Sequence, residues 1–422
     1  MSNHENVNIN LDADGSMQIL RIELVSFLGN LDHLLGDRIR DFAEEQRDID
    51  IILDSSHDYY VNLSPWILGL EGRGTPPDII EIPYNQMQHM YHHGKLEPLY
   101  INEPDLQDYL ITAPDGAVIG IKAKVNPLII YYNAAIFDMM GLEKPSGDWD
   151  WDMLDQTITT LKSAGHNVYF MLSPYTLEWL TMNRYDGRIS DLHKLRFAGY
   201  LDSEAAVQAA EWFAWVGTKG EDFTFPGRHP APMPHVMIDG QVAIAIDYAY
   251  GLFSRYNFER LIESNDQINI APLPGRYDTQ NPAKMTGFAV SSNSPNKDAA
   301  MRLLRHLIED SRDYSDDIAM YTLQASEGVQ KVEWIDPSRS SIVMQEIKRS
   351  VPASFFMADD HTGAFNYNSA YPFLRSIIDG GPARQALAQY AELLDSIFGT
   401  FVEYPDAYGE CVKKGREGYC VH

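Results

Sequence analysis

Between Gln18 and Met90 the chain keeps one alternation, a short apolar strand pattern followed by an amphipathic helical one. Gln18–Phe27 alternates as a strand does, and Leu31–Arg47 sets Leu34, Leu35, Ile39 and Phe42 at helical spacing. Ile49–Leu53 reads as a second strand and Tyr60–Leu70 as a helix. Thr75-Pro76-Pro77-Asp78 then turns the chain into a buried strand at Ile79-Ile80, followed by a helix through Met90. Strand–helix–strand–helix–strand order implies a parallel sheet with helices on both faces. Ligands of such sheets gather beyond the carboxyl ends of the strands, which singles out the residues after Phe27 and after Ile80.

At 422 residues the chain exceeds the ~100–200 of one compact domain, so two or three units are expected. The middle of the chain supplies a second unit. Asp115-Gly116 is a tight turn into the strand Ala117–Ile121, and Asn126-Pro127 leads into the apolar run Leu128–Asn133. Ala134–Met140 fits a helix, and Trp149–Ala164 another, capped by Asp148 or Asp150. A strand over Val168–Leu172 runs into Ser173-Pro174-Tyr175, and an Ala-rich helix over Asp202–Val216 starts at Asp202 or Ser203. Phe223–Pro234 is a proline-rich loop, and Gln241–Ile246 a buried strand ending at Asp247-Tyr248-Ala249-Tyr250. Strands at Ile268–Pro274 and Gly287–Ser291 carry the chain back to the first unit. Helical patterns follow at Asn296–Glu309, from Met344, and over Pro382–Phe398.

The formal net charge of -27 argues against nucleic acid and anionic membrane surfaces, both of which require clustered Lys and Arg. No apolar run approaches the ~18–20 residues that span a bilayer. Met1–Ser16 has neither a basic region nor a hydrophobic stretch, unlike a secretory leader. Either a leader has been removed or the protein stays inside the cell; removal is the expectation. Cys411 and Cys420 sit close enough for a local disulfide in the tail, which two thiols cannot specify.

Catalytic and metal chemistry find little support. His89 and His93 share a helix face, but no Glu completes a His-Glu-x-x-His pattern. Asp359-Asp360-His361 lacks a nucleophile elbow, and Asp12-Ala13-Asp14-Gly15 lacks the later ligands of a calcium loop. Glycine-rich phosphate loops are absent. No cofactor, metal or catalytic residue is expected. The 24 tyrosines instead suit a surface for planar or sugar-like faces, or extra packing.

Several segments, taken in order, resemble extracellular solute-binding family 1, the maltose-binding-protein-like sugar receptors of ATP-driven importers. They are Pro77–Ile80 with Tyr84-Asn85, Val125–Asn133, Ser173–Trp179, Asp239–Asp247, and Gly287–Ser291 with Ser294–Lys297. The likeness covers Gln18 to about Phe398. It implies an α/β, two-lobed periplasmic-binding-protein-like fold, each lobe a mainly parallel sheet flanked by helices, with a multi-strand hinge. Lobe 1 would comprise 17–124 and 289–327, lobe 2 125–288 and 328–400, with a tail over 401–422.

The resemblance implies capture of an oligosaccharide or related sugar between the lobes, and delivery to permease subunits without bond chemistry. A monomer, lipid-anchored at the outer face of the cytoplasmic membrane, is expected; the alternative is a sugar sensor inside the cell or within a regulator. The contacts it implies are Tyr84 and Asn85 from one lobe, Asn126 at the hinge, and Tyr175, Trp179, Asp247 and Tyr250 from the other. Tyr367 and Tyr371 add a further wall. Aromatic rings would cover the C–H face of a pyranose while amides and carboxylates take its hydroxyls. Each has a packing alternative: Trp179 in the second core, Asn126 at a turn, Asp247 as a cap. Met285-Thr286-Gly287 stands where the family often has two glycines, and Tyr248-Ala249-Tyr250 where a Trp is common. The preferred sugar and its number of subsites stay open, and Arg188 or Lys122 leaves an acidic one possible.

Overall fold

The computed structural model describes residues 18–26, 32–46, 48–58, 77–84, 87, 90, 91, 93–101, 107, 109–113, 115–170, 174–191, 196–216, 237, 242–249, 267–275, 279–313, 337–352 and 367–403. The expected helix at Tyr60–Leu70, the loop Phe223–Pro234, Asp359–His361, Asp12–Gly15 and both cysteines lie outside these residues.

Two sheets organise the chain. The first has strands β1 (Gln18–Ser26), β2 (Ile49–Asp58), β3 (Ile79–Pro83), β4 (Leu110–Thr112), β5 (Val118–Asn126) and β10 (Asn281–Val290), in the order β2-β1-β3-β10-β5-β4. A short β11 (Ser350–Pro352) joins it, pairing with the start of β10. The second sheet has β6 (Leu128–Asn133), β7 (Asn167–Phe170), β8 (Val242–Tyr248) and β9 (Ile268–Ala271), in the order β7-β8-β6-β9.

Both sheets are mixed where mainly parallel ones were expected. β1 pairs in parallel with β2 and β3, and β7 with β8. The strands that pass between the sheets, β5, β6 and β10, meet their long neighbours antiparallel, and only the short β11 runs parallel to β10. The reason is the route: a chain that leaves one sheet and later returns must run in the opposite sense on the way back. β10 enters the first sheet at Asn281, ahead of the boundary expected at 289.

Local sequence accounts for the second unit. Every residue of β6 is buried, as a continuous apolar run requires when both faces are covered. Asn133 ends β6 and caps the helix Ala134–Met140, accepting from the Ile136 N–H at 3.1 Å while donating to Met237 O at 3.1 Å. Gly141, at φ 64, closes that helix in the left-handed conformation. Asp150 caps the helix Trp151–Ser163 by accepting from Met153 N–H at 2.8 Å. Ser203 accepts from Ala206 N–H at the head of the helix Glu204–Val216, whereas Asp202 holds the preceding turn through Gly199 N–H.

Helices Asp32–Glu45 and Lys297–Asp313 cover one face of the first sheet, with Ile39, Phe42, Leu303, Leu304 and Leu307 among the buried residues there. Residues on its other face, including Ile80, Ile82, Ile111 and Ile119, belong to the same buried cluster as the second sheet and its helices. In the second unit, Arg184 lies 5.2 Å from the ring centres of both Trp151 and Trp212 and pairs with Asp155 at 2.7 Å. Helices Tyr367–Ile378 and Ala383–Glu403 pack on the helix Glu204–Val216.

Candidate functional site at the junction of the two sheets

The chain passes directly from β5 to β6 at Asn126-Pro127-Leu128. Because β8 runs antiparallel to β6, its last residue, Tyr248, comes back opposite Leu128, and Ala249 N–H donates to Pro127 O at 2.9 Å. On the first-sheet side, Lys284 of β10 lies opposite Asn126. The ends of the two sheets therefore face each other at this point. The Lys284 ammonium stands 4.8 Å from the centre of the Tyr248 ring, a cation–π contact made from one sheet to the other.

Asp247 precedes Tyr248 and is half-buried. Its carboxylate accepts from Tyr248 N–H at 2.7 Å. Burial pushes its pKa up to about 6, against the pull of that N–H and of the Lys284 charge. Tyr84 follows β3, with its ring against Val125, Ala283 and Met285 and its hydroxyl pointing to Thr112 O at a long 3.5 Å. Tyr84, Asn126 and Asp247, three of the residues expected from sequence, thus gather at the junction.

The other expectations are placed differently. Trp179 is 1% exposed and packs at a tilt against Trp151, with ring centres 5.0 Å apart. Such a ring offers no open face to a sugar; it packs the second core, because its helix Pro174–Asn183 turns that side inward. Tyr175 lies on the same helix, and Tyr367 and Tyr371 on the helix Tyr367–Ile378, but their side chains lie outside the described residues, as do Asn85 and Tyr250. Of the two residues that could admit an acidic sugar, Arg188 is exposed and Lys122 is half-buried opposite Gly287 on β10.

Lys284 and Tyr248 are contacts that the sequence resemblance does not imply. Lys284 had a signal, as the only charged residue in the strand Asn281–Val290. A cation kept inside an apolar strand usually has a partner to meet. Tyr248 shares its motif with Tyr250, and the sequence alone favours Tyr250. Among the described residues no group of three or more His, Cys, Asp or Glu is placed to hold a metal ion. No helix among them is long and apolar enough to cross a membrane.

Residues 37–322, more than half of the chain, match the family of bacterial extracellular solute-binding proteins. The chain belongs to that family. Its fold is similar to that of an ABC substrate-binding protein from Listeria monocytogenes, solved in complex with cycloalternan. The TM-score is 0.64 at 16% identity, over 91% of this chain and 99% of that one. Among curated proteins none matches the sequence.

Proposed function

We propose that this chain is the solute receptor of an ATP-driven importer, and that its solute is a neutral oligosaccharide or related polyol taken between two lobes. The observation that carries this reading is the junction itself. Two sheets, joined by strands that run from one to the other, present a carboxylate, an ammonium, an amide and tyrosine rings at their facing ends. The family supports solute capture, and the similar Listeria protein was solved with an oligosaccharide. We place the lobe boundaries at Asn126–Leu128 and between Ala271 and Asn281.

A pyranose ring suits this set. Asp247 would accept from one hydroxyl while Lys284 donates to its neighbour, Asn126, 2% exposed, would back them from the floor of the junction, and the Tyr84 and Tyr250 rings would cover the C–H faces. A carboxylate beside the ammonium already balances its charge, which favours a neutral ligand. Asn85, Tyr175, Tyr367 and Tyr371 stay in the proposed wall, and Trp179 leaves it. The receptor would work as a monomer, lipid-anchored outside the cytoplasmic membrane, docking its closed form on the permease and breaking no bond.

Calorimetry against a panel of linear and cyclic oligosaccharides tests this. One or more should bind, and Asp247→Ala and Tyr250→Ala should each weaken binding about tenfold or more while the fold is kept. If no carbohydrate binds, or both variants bind like the parent, the reading is wrong.

A further inference from the structure

Behind the site lies a polar network that the proposed ligand contacts do not use. The carboxamide of Asn281, 1% exposed, grips both backbone groups of Leu128: it accepts from Leu128 N–H at 3.1 Å and donates to Leu128 O at 2.8 Å. The same amide nitrogen donates to Glu346 at 2.8 Å. Glu346 is fully buried at the end of the helix Pro337–Lys348. Its other oxygen accepts from Leu273 N–H at 3.1 Å and pairs with Arg349. Arg349 also donates to Thr279 at 2.8 Å and lies near Leu273 O at 3.5 Å, and its own carbonyl accepts from Asn281 N–H at 2.9 Å.

Leu128 lies on the first passage between the sheets, and Leu273, Thr279 and Asn281 lie on the second. Both passages are therefore held by a third segment, the end of one helix and the turn into β11. A backbone rotation that moves Leu128, Leu273 or Asn281 away from Glu346 or Arg349 breaks at least one of these bonds. A buried carboxylate with its partners removed is costly, so the network favours one arrangement strongly.

We propose that Glu346, acting through Asn281 and Arg349, is a positioning residue that couples the two interlobe passages and fixes how far the lobes stand apart before solute arrives. This rests on the closure reading given above. Glu346→Gln is a sharp probe, because an amide replaces one acceptor by a donor. Turned toward Asn281, its NH2 meets another NH2; turned the other way, it meets Leu273 N–H and the Arg349 guanidinium. Either way the coupling is broken at one end.

The test measures distances between lobes without solute. Probes go on Tyr100→Cys, 75% exposed beside the first sheet, and Met139→Cys, 70% exposed in the helix after β6, with Cys411 and Cys420 changed to Ser. Distance distributions by pulsed spin-label spectroscopy are compared between this protein, its Glu346→Gln variant and the milder Arg349→Lys. We expect the ratio of open to closed populations to change roughly tenfold in Glu346→Gln, and less in Arg349→Lys. Arg349→Lys keeps the charge but loses the fork, and it carries the test should Glu346→Gln fail to fold. Distributions in the folded variants that match the parent overturn the latch alone. A parent whose distances ignore an added binding sugar overturns closure, and the latch with it.

Discussion

Asp247 and Lys284 come from different sheets and meet at one place, so their charges set how the junction responds to pH. The folded Asp247 carboxyl keeps its proton up to about 6, against an ordinary value of 3.8. In that window the folded state binds the proton more tightly than the unfolded one, so this group's contribution to stability falls as pH rises through it. Asp247→Asn removes the titration. Its melting temperature relative to the parent should therefore sit lowest near pH 4 and rise by pH 7; a gap constant across that range would refute the assignment. Trp179→Ala tests the opposite role. Emptying a core position of that size costs about 3–5 kcal/mol, so chemical denaturation should show lost stability. Any sugar affinity that survives in the folded fraction should be unchanged. The sequence showed that Trp179 and Asp247 were noteworthy but not which way each faced. That depends on the turn of a helix in one case and the register of β8 against β6 in the other.

At the scale of elements, close approaches and caps are what hold the parts in place. Gly120 of β5 lies so near β10 that an added Cβ would reach 2.5 Å from the Phe288 carbonyl oxygen and press on Met87. Gly120→Ala should cost about 1–3 kcal/mol in a urea titration, since one contact is backbone and cannot rotate away. Asp150→Ala should cost about 1 kcal/mol by removing the cap of the helix Trp151–Ser163. A loss within error for either would mean the chain shifts more freely there than its contacts imply. The helix Trp151–Ser163 was readable because cap and periodicity agree, although Asp148 and Asp150 were equal candidates until the bond to Met153 chose between them. The helix Tyr367–Ile378 was not. Pro372 inside it and Asn366 and Asn368 about its start imitate a loop, and the packing against Glu204–Val216 that offsets this is remote in sequence. The antiparallel pairing of β10 was equally hidden, because a strand's direction within its sheet follows from the path of the whole chain.

For the molecule as a whole, the buried cluster shared by the first sheet's inner face and the second unit predicts how it unfolds. Halves that share a core should melt as one. Calorimetry should give a single transition with matching calorimetric and van't Hoff enthalpies, whereas two resolved peaks would show separate cores. The two-sheet plan was legible from the order of apolar runs. The latch at Asn281, Glu346 and Arg349 was not, since it joins three stretches far apart in the chain. The aromatic group around Arg184 has an optical consequence. Trp149, Trp151, Trp179, Trp212 and Trp215 all belong to the second unit, and they are five of the seven indoles in the chain. Ultraviolet emission will thus be dominated by one half of the protein and will report that half's surroundings, so the other half needs a dye of its own to be seen.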